Sequence, residues 1–255
     1  MVRLTHAPPA FLRSMQMSRS SVFFFVEGWS DRYFYNQLVE PVCNEAAVGF
    51  EMYTAYELGG VGGKAALLGF FEYLRRRRQL TSDLGGKRTA ALFFLDKDVD
   101  DFMRTMKRSP HVLYTEYYDA ENYLFVHGNL AQAAAAAAAL EPTLLRQGLG
   151  NYNDWRRAAA AKWRPWVSLC LFTRLRNLNS AYAYGRKSTI NRGPAGQTDA
   201  AALQQALAEI AASTRQNVDA FRRAMKRLER RVAALYNAGD HDRIFKGKWY
   251  ASLTH

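Results

Sequence analysis

Two stretches of this chain share one hydrophobic pattern and one abrupt ending. Ser21-Val22-Phe23-Phe24-Phe25-Val26-Glu27-Gly28-Trp29-Ser30-Asp31 is an apolar run that stops on a carboxylate, then a glycine, then a helix-start signal. Ala90-Ala91-Leu92-Phe93-Phe94-Leu95-Asp96-Lys97-Asp98 repeats the pattern. Short continuous apolar runs bounded by turn residues predict buried strands. Each strand would carry carboxylates to its carboxyl end, the edge where open α/β sheets bind ligands. The two ends are expected to face each other and hold metal between them.

The rest of the pattern predicts the surrounding elements. Pro8-Pro9 predicts an extended lead-in over residues 1–20. After the first strand, at 22–27, Ser30 is expected as an N-cap with Asp31 in the first turn, and Tyr33, Phe34, Gln37 and Leu38 follow at helical spacing. Residues 47–55 predict a second strand. Gly59-Gly60-Val61-Gly62-Gly63-Lys64 then opens a helix bearing Leu67, Leu68, Phe71 and Leu74, closed by Arg75-Arg76-Arg77-Arg78. Gly85-Gly86 marks a turn, 89–95 a third strand, and 102–107 a short helix headed by Asp100 and Asp101. Residues 112–116 predict a fourth strand, and a further helix begins near Asp119. The order βαβαβαβα over 22–126 predicts an α/β domain with a mostly parallel four-stranded sheet.

Beyond residue 129 the periodicity becomes helical. Residues 131–140 hold seven consecutive alanines, the strongest helix former. Trp155, Trp163, Trp166, Leu169, Phe172, Leu175 and Leu178 alternate with Arg156, Arg157, Lys162, Arg164, Arg174 and Arg176. Residues 185–199, with Arg186 and Lys187, predict a mobile basic loop. A long amphipathic helix is expected from Asp199 to Tyr236, broken near Ser213-Thr214 and carrying Arg222, Arg223, Lys226, Arg227, Arg230 and Arg231.

Charge sharpens this division. Residues 1–150 carry equal numbers of acidic and basic side chains, so the whole net excess of +12 falls in 151–255. Such an asymmetry points to a polyanion-binding surface beside a carboxylate-bearing domain. No apolar run is long enough to span a bilayer, and no signal peptide is read at the start. Two cysteines, Cys43 and Cys170, are too few for a disulfide framework. A cytoplasmic protein without membrane association is the expectation.

The acidic constellation carries the candidate chemistry. Asp96 and Asp98, at i and i+2 where a strand exits, can reach one cation. Magnesium, or manganese in its place, takes oxygen ligands, commonly one or two carboxylates with waters and substrate phosphate. Glu27 could add a ligand, hold a second ion or act as general base. Two metals about 4 Å apart stabilise both the attacking and leaving oxygens of a phosphodiester. Glu121 is a further candidate ligand or a charged residue in a helix's first turn. Lys248 is a candidate to stabilise transition-state charge or a surface lysine. The five histidines lack metal spacing, which disfavours zinc. The glycine loop fails as a nucleotide P-loop, because Leu58 stands where its first glycine belongs and Ala65 where Ser or Thr should ligate magnesium. Lys64 is left as a candidate phosphate contact.

With these residues in view, Phe25-Val26-Glu27-Gly28-Trp29-Ser30-Asp31 together with Leu95-Asp96-Lys97-Asp98 resembles a TOPRIM domain, the Rossmann-like fold shared by topoisomerases, bacterial primases, ribosomal-RNA maturation nucleases and overcoming-lysogenization-defect nucleases. The spelling Glu-Gly-x-Ser-Asp-x-x-Phe-Tyr through Tyr35, with Glu121-Asn122-Tyr123 and the late Gly247-Lys248, resembles a narrower group: stand-alone TOPRIM nucleases paired with an ABC-type ATPase in anti-phage abortive-infection systems, the AriB type of the PARIS system. The likeness covers residues 22–126 and, beyond them, only the closing Gly-Lys. It implies Glu27 as catalytic glutamate, Asp96 and Asp98 as magnesium ligands, and Glu121 and Lys248 as further site residues. Lys97, between the aspartates, has no implied role. The resemblance divides the chain into a lead-in at 1–20, a catalytic domain at 21–128 and a basic helical region at 129–255 that returns to the active site.

The expected function is therefore a magnesium-dependent effector nuclease that cuts RNA, tRNA by the resemblance, once an ATPase partner releases it. Lys64, Arg186, Lys187, Arg222, Arg223, Arg227 and Arg230 are the expected backbone contacts. A DNA nuclease or nickase of the same fold and a non-catalytic nucleic-acid-binding module are the alternatives. The long amphipathic helix permits a homodimer without demanding one.

Overall fold

A computed structural model describes residues 7–129, 132, 141, 143, 152–193, 196–214 and 216–253. The chain forms two compact units. One contains the residues up to Lys97 with Met106–Glu116; the other contains Asp98–Thr105 and the chain from Tyr117 onward. These units do not coincide with the segments drawn from sequence: the stretch 117–128, expected with the sheet, packs with the helical part.

The first unit is α/β. Its elements are α1 (Pro8–Met17), β1 (Val22–Val26), α2 (Trp29–Glu45), β2 (Phe50–Thr54), α3 (Lys64–Arg76), β3 (Thr81–Leu84), β4 (Lys87–Leu95) and β5 (Val112–Tyr114). The sheet order is β2-β1-β4-β3, with β5 also pairing β4. β1 runs parallel to β2, from Val22 opposite Phe50 to Val26 opposite Thr54, and parallel to β4, from Val22 opposite Ala90 to Phe25 opposite Phe93. β5 extends the parallel set beside the second half of β4, from Phe93 opposite Val112 to Leu95 opposite Tyr114.

The four expected strands are all present, but the sheet has a fifth. β3 pairs antiparallel with the first half of β4, so the sheet is mixed. Gly85 and Gly86, at φ 60° and 79°, make the two-residue turn between them; two successive positive φ values match the right-handed twist of a hairpin and suit glycine. Thr81-Ser82-Asp83-Leu84 has no apolar face, and three of its four residues are exposed, so no alternation announced it.

Alternation along β1 builds two layers. Phe23 and Phe25 face α1 and α3, clustering with Phe11, Leu67, Phe70, Phe71 and Phe93. Phe24 and Val26 face α2, with Tyr35, Val39, Cys43 and Met52. The Phe25 ring stacks on Phe93 at 4.9 Å and meets Phe70 edge-on at 5.2 Å. Full burial of each such ring contributes about 1.5–3 kcal/mol.

Two local expectations are corrected. The lead-in is a helix over 8–17, not extended chain: Pro8 and Pro9 occupy the first helical positions, whose N–H groups have no intrahelical partner, and Phe11 and Met15 bury one face. The cap of α2 is Gly28 rather than Ser30. Gly28 is extended at φ −145° and ψ −177°, and Asp31, at the third helical position, accepts the Gly28 N–H at 2.8 Å.

The second unit is helical: α4 (Asp100–Met103), α5 (Glu121–His127), α6 (Tyr152–Leu175), α7 (Ala200–Ser213), α8 (Val218–Ala238) and α9 (Gly247–Leu253). Phe221, Met225, Leu228, Val232 and Tyr236 form the buried stripe of α8, against a core that includes Trp166, Leu169, Cys170 and Ile210. The expected break near Ser213-Thr214 is real. Both hydroxyls bond back to carbonyls of α7, and Asn217 caps the start of α8 by accepting the Ala220 N–H at 3.0 Å. The stretch read as a mobile loop has anchors: Ile190 is buried, and Asn191 and Thr198 both donate to the Lys162 carbonyl. The alanine run at 131–140 lies outside the described residues apart from Gln132. No helix among the described residues is long and apolar enough to cross a membrane.

Candidate active site

In the first unit, parallel pairing places the carboxyl ends of β1, β2 and β4 on one sheet edge. Glu27 follows β1 and Asp96 follows β4. They meet there: Glu27 Oε1 accepts the Asp96 backbone N–H at 3.0 Å. The Glu27 carbonyl accepts the Gly63 N–H at 3.4 Å, bringing the glycine loop to the same place. Gly63 is at φ 88° and begins the turn into α3, whose first residue is Lys64. Lys64 Nζ lies 6.0 Å from the centre of the Tyr114 ring. The loop's glycines thus serve backbone geometry beside Glu27.

A third carboxylate on this edge was not singled out from sequence. Glu57 is buried after β2; its Oε2 accepts the Thr54 N–H at 2.7 Å and the Thr54 hydroxyl at 3.1 Å, with Arg32 Nη1 at 3.5 Å. The signal was legible, because Thr54-x-x-Glu57 is a capping-box spacing. Lys97, assigned no role, is a buried brace. Its N–H donates to Thr115 Oγ1 at 2.7 Å and its ammonium donates to the Glu116 carbonyl, tying the exit of β4 to the exit of β5.

The second unit holds the other candidates. Asp98 sits at φ 50°, and its N–H donates to the Tyr118 carbonyl at 2.7 Å. Asp101 pairs with Arg243 at 2.7 Å, and Asp100 is buried and accepts from the Thr105 hydroxyl at 3.2 Å. Glu121, at the start of α5, and Lys248, at the start of α9, form an ion pair at 3.0 Å. Lys248 is exposed, so it is both a surface lysine and a partnered one.

Beneath that pair lies a residue that sequence reasoning passed over. Asp119 Oδ1 accepts the Gly247 N–H at 3.1 Å and the Asn122 N–H at 3.2 Å, while Oδ2 is buried without a hydrogen-bond partner among the described residues. Burial, reinforced by the charge of Glu121 and opposed by the two N–H groups, pushes its carboxyl up to about 7. An aspartate at a helix start carries no sequence mark of such burial. Gly247 is required here: a Cβ would stand 2.5 Å from the Asn122 nitrogen and 2.8 Å from the Glu121 carbonyl carbon. Asn122 in turn donates to Asp242 and to the Phe245 carbonyl.

No protein-family model matches the chain, and no curated protein matches it significantly. The site therefore rests on its own chemistry.

Among the described residues, no group of three or more His, Cys, Asp or Glu is gathered closely enough to form a metal cage. Magnesium needs less, since one or two carboxylates serve when waters and phosphate complete the shell. Glu27 and Asp96, joined at this edge through the Asp96 backbone N–H, are the residues that could offer such a pair. Of the expected nucleic-acid contacts, Arg186 and Lys187 are exposed between α6 and α7, and Arg222, Arg223, Arg227 and Arg230 are exposed along α8. Among the described residues Arg222 pairs with Asp219 at 3.9 Å, an exposed pair of small energetic weight.

Proposed function

We propose that this protein is a metal-dependent phosphodiesterase of the TOPRIM type that cleaves RNA, with tRNA as its substrate. The observation that carries the reading is the meeting of Glu27 and Asp96 at the carboxyl edge of parallel strands, with the Glu27 carboxylate oriented by the Asp96 N–H at 3.0 Å. A carboxylate held in this way is aimed before any ligand arrives, which favours both cation binding and base catalysis.

Glu27 and Asp96 would hold magnesium, with Asp98 a further ligand by the resemblance alone. When bound, the ion offsets their mutual repulsion and supplies Lewis acidity toward a phosphodiester. Glu27 would take the proton of the attacking water or act beside Asp96 as a ligand. Lys97 fixes the peptide between the two aspartates through Thr115 and Glu116. The exposed guanidinium groups of α8 and the Arg186-Lys187 turn attract the phosphate backbone without selecting sequence. In the cell the reading makes the chain an effector held inactive by an ABC-type ATPase in an anti-phage system; this part rests on the TOPRIM-like residues alone.

Purified protein incubated with tRNA and with plasmid DNA, each in magnesium or in EDTA, tests the assignment. The expected result is cleavage of tRNA that stops in EDTA. Cleavage of plasmid alone would move the substrate to DNA, and cleavage that persists in EDTA would remove the metal.

A further inference from the structure

The second unit contains a cavity of about 270 Å³ with Asp98 in its lining. Its wall is apolar at Val99, Cys170, Leu178 and Ala183, and aromatic at Tyr118 and Tyr184. The two tyrosine rings stack at 4.9 Å, and Trp249 backs Tyr184 at 5.3 Å, so the aromatic wall is rigid. The Asp98 turn is held to the same wall by its N–H bond to the Tyr118 carbonyl.

Two polar side chains complete the lining, Arg174 and Asn177, both exposed. No hydrogen bond or ion pair with the described residues occupies either side chain. Asn177 lies at φ 49° where α6 ends, a conformation that asparagine tolerates at helix C-termini. That explains the backbone; the carboxamide at the cavity is a further consequence. Thr173, also in the lining, is committed to the carbonyls of Cys170 and Tyr182. The groups left for a ligand are thus one carboxamide, which both donates and accepts, and one planar cation, which stacks or donates.

We infer that this cavity takes a single unpaired nucleobase of the nucleic-acid substrate. The inference rests on the nuclease reading and adds to it a requirement for unpaired substrate. Pockets for drug-sized ligands run to about 300–1,000 Å³; this one, at about 270 Å³, is smaller and of a size that suits a single flat heteroaromatic ring. The Tyr184 ring is already stacked between Tyr118 and Trp249, so the planar surface for a base is the Arg174 guanidinium, with apolar packing on Val99, Leu178 and Ala183 and hydrogen bonds from Asn177 to the base edge.

The test uses the full chain and short single-stranded RNA oligonucleotides, each with 2-aminopurine at one position, in calcium in place of magnesium to suppress cleavage. Two variants probe the cavity: Asn177→Gly removes the carboxamide and keeps the left-handed backbone, and Ala183→Phe fills the space. Thermal melting checks their folding. The expected result is a fluorescence change at one position with wild-type protein, absent from a fully paired duplex and weakened about tenfold or more in Asn177→Gly. An unchanged signal in Asn177→Gly and in folded Ala183→Phe, or an equal signal from duplex, overturns the inference. Cleavage in magnesium separates the two readings. A wild-type protein that inserts the base but cuts nothing retains the pocket and loses the nuclease. One that cuts with no dependence on either variant retains the nuclease and loses the pocket.

Discussion

Single residues carry most of the chemistry. The Glu27 carboxylate accepts the Asp96 backbone N–H at 3.0 Å, a bond that aims the carboxylate. Asp96→Asn keeps the backbone donor and removes the ligand charge. It is expected to lower cleavage about a hundredfold or more in protein that still melts cooperatively; cleavage measured beside a thermal melt checks both halves. His241 offers a separate residue-level prediction. Burial holds its imidazole below the ordinary 6.5, with Arg156 and Arg157 adding to the effect and Asp242 opposing it. The unfolded chain therefore binds the extra proton first as pH falls through about 6.5, and the folded state loses stability there. Asp119, raised to about 7, works in the opposite sense over the same range, so the readout is the difference between the two proteins: from pH 7.5 to pH 5 the urea midpoint of the wild type is expected to fall relative to that of His241→Phe. Legibility at this scale was uneven. Glu27, Asp96 and Asp98 stood out because each ends an apolar run. Asp119 and Lys97 did not, since burial of a charge depends on neighbours distant in sequence.

At the scale of elements, β1 and β4 were readable from composition because both of their faces are covered, leaving no polar alternation to dilute the signal. Their core is correspondingly sensitive. Phe25→Ala, removing a ring in contact with Phe93 and Phe70, is expected to cost about 3–5 kcal/mol in chemical denaturation. The elements that escaped prediction had physical reasons to do so. β3 is short, polar and on an edge, and α1 begins with the prolines that elsewhere mark extended chain. The closing Gly-Lys of the chain was noticed as a pair, yet its two members act differently. Lys248 meets Glu121 on the surface, whereas Gly247 lets the start of α9 lie against the backbone of α5. Gly247→Ala is expected to destabilise the protein by about 1–3 kcal/mol, whereas Lys248→Ala, which removes an exposed pair, costs under about 1 kcal/mol. Denaturant midpoints of the two variants distinguish these roles.

For the molecule as a whole, the division of charge is the feature that composition displayed most clearly. The sheet-bearing half of the sequence is balanced and the helical half holds the excess of +12. The boundary between compact units was less legible, because 98–105 joins the second unit while 106–116 returns to the first, an exchange that hydrophobic periodicity does not encode. Replacing Arg222, Arg223, Arg227 and Arg230 together with Ala is expected to weaken RNA binding and to flatten the plot of log affinity against log salt by roughly one unit for each phosphate no longer neutralised. An unaltered slope would assign those cations to a solvated face. The central claim, that Glu27 and Asp96 form the core of a metal-dependent cleavage site, is tested most directly by following tRNA cleavage with wild-type protein and with Glu27→Gln over a titration of magnesium. The account predicts cleavage that rises with magnesium for the wild type, and a loss of about a hundredfold or more for Glu27→Gln that added magnesium does not restore. Equal cleavage by the two proteins, or a rate independent of magnesium, would contradict it.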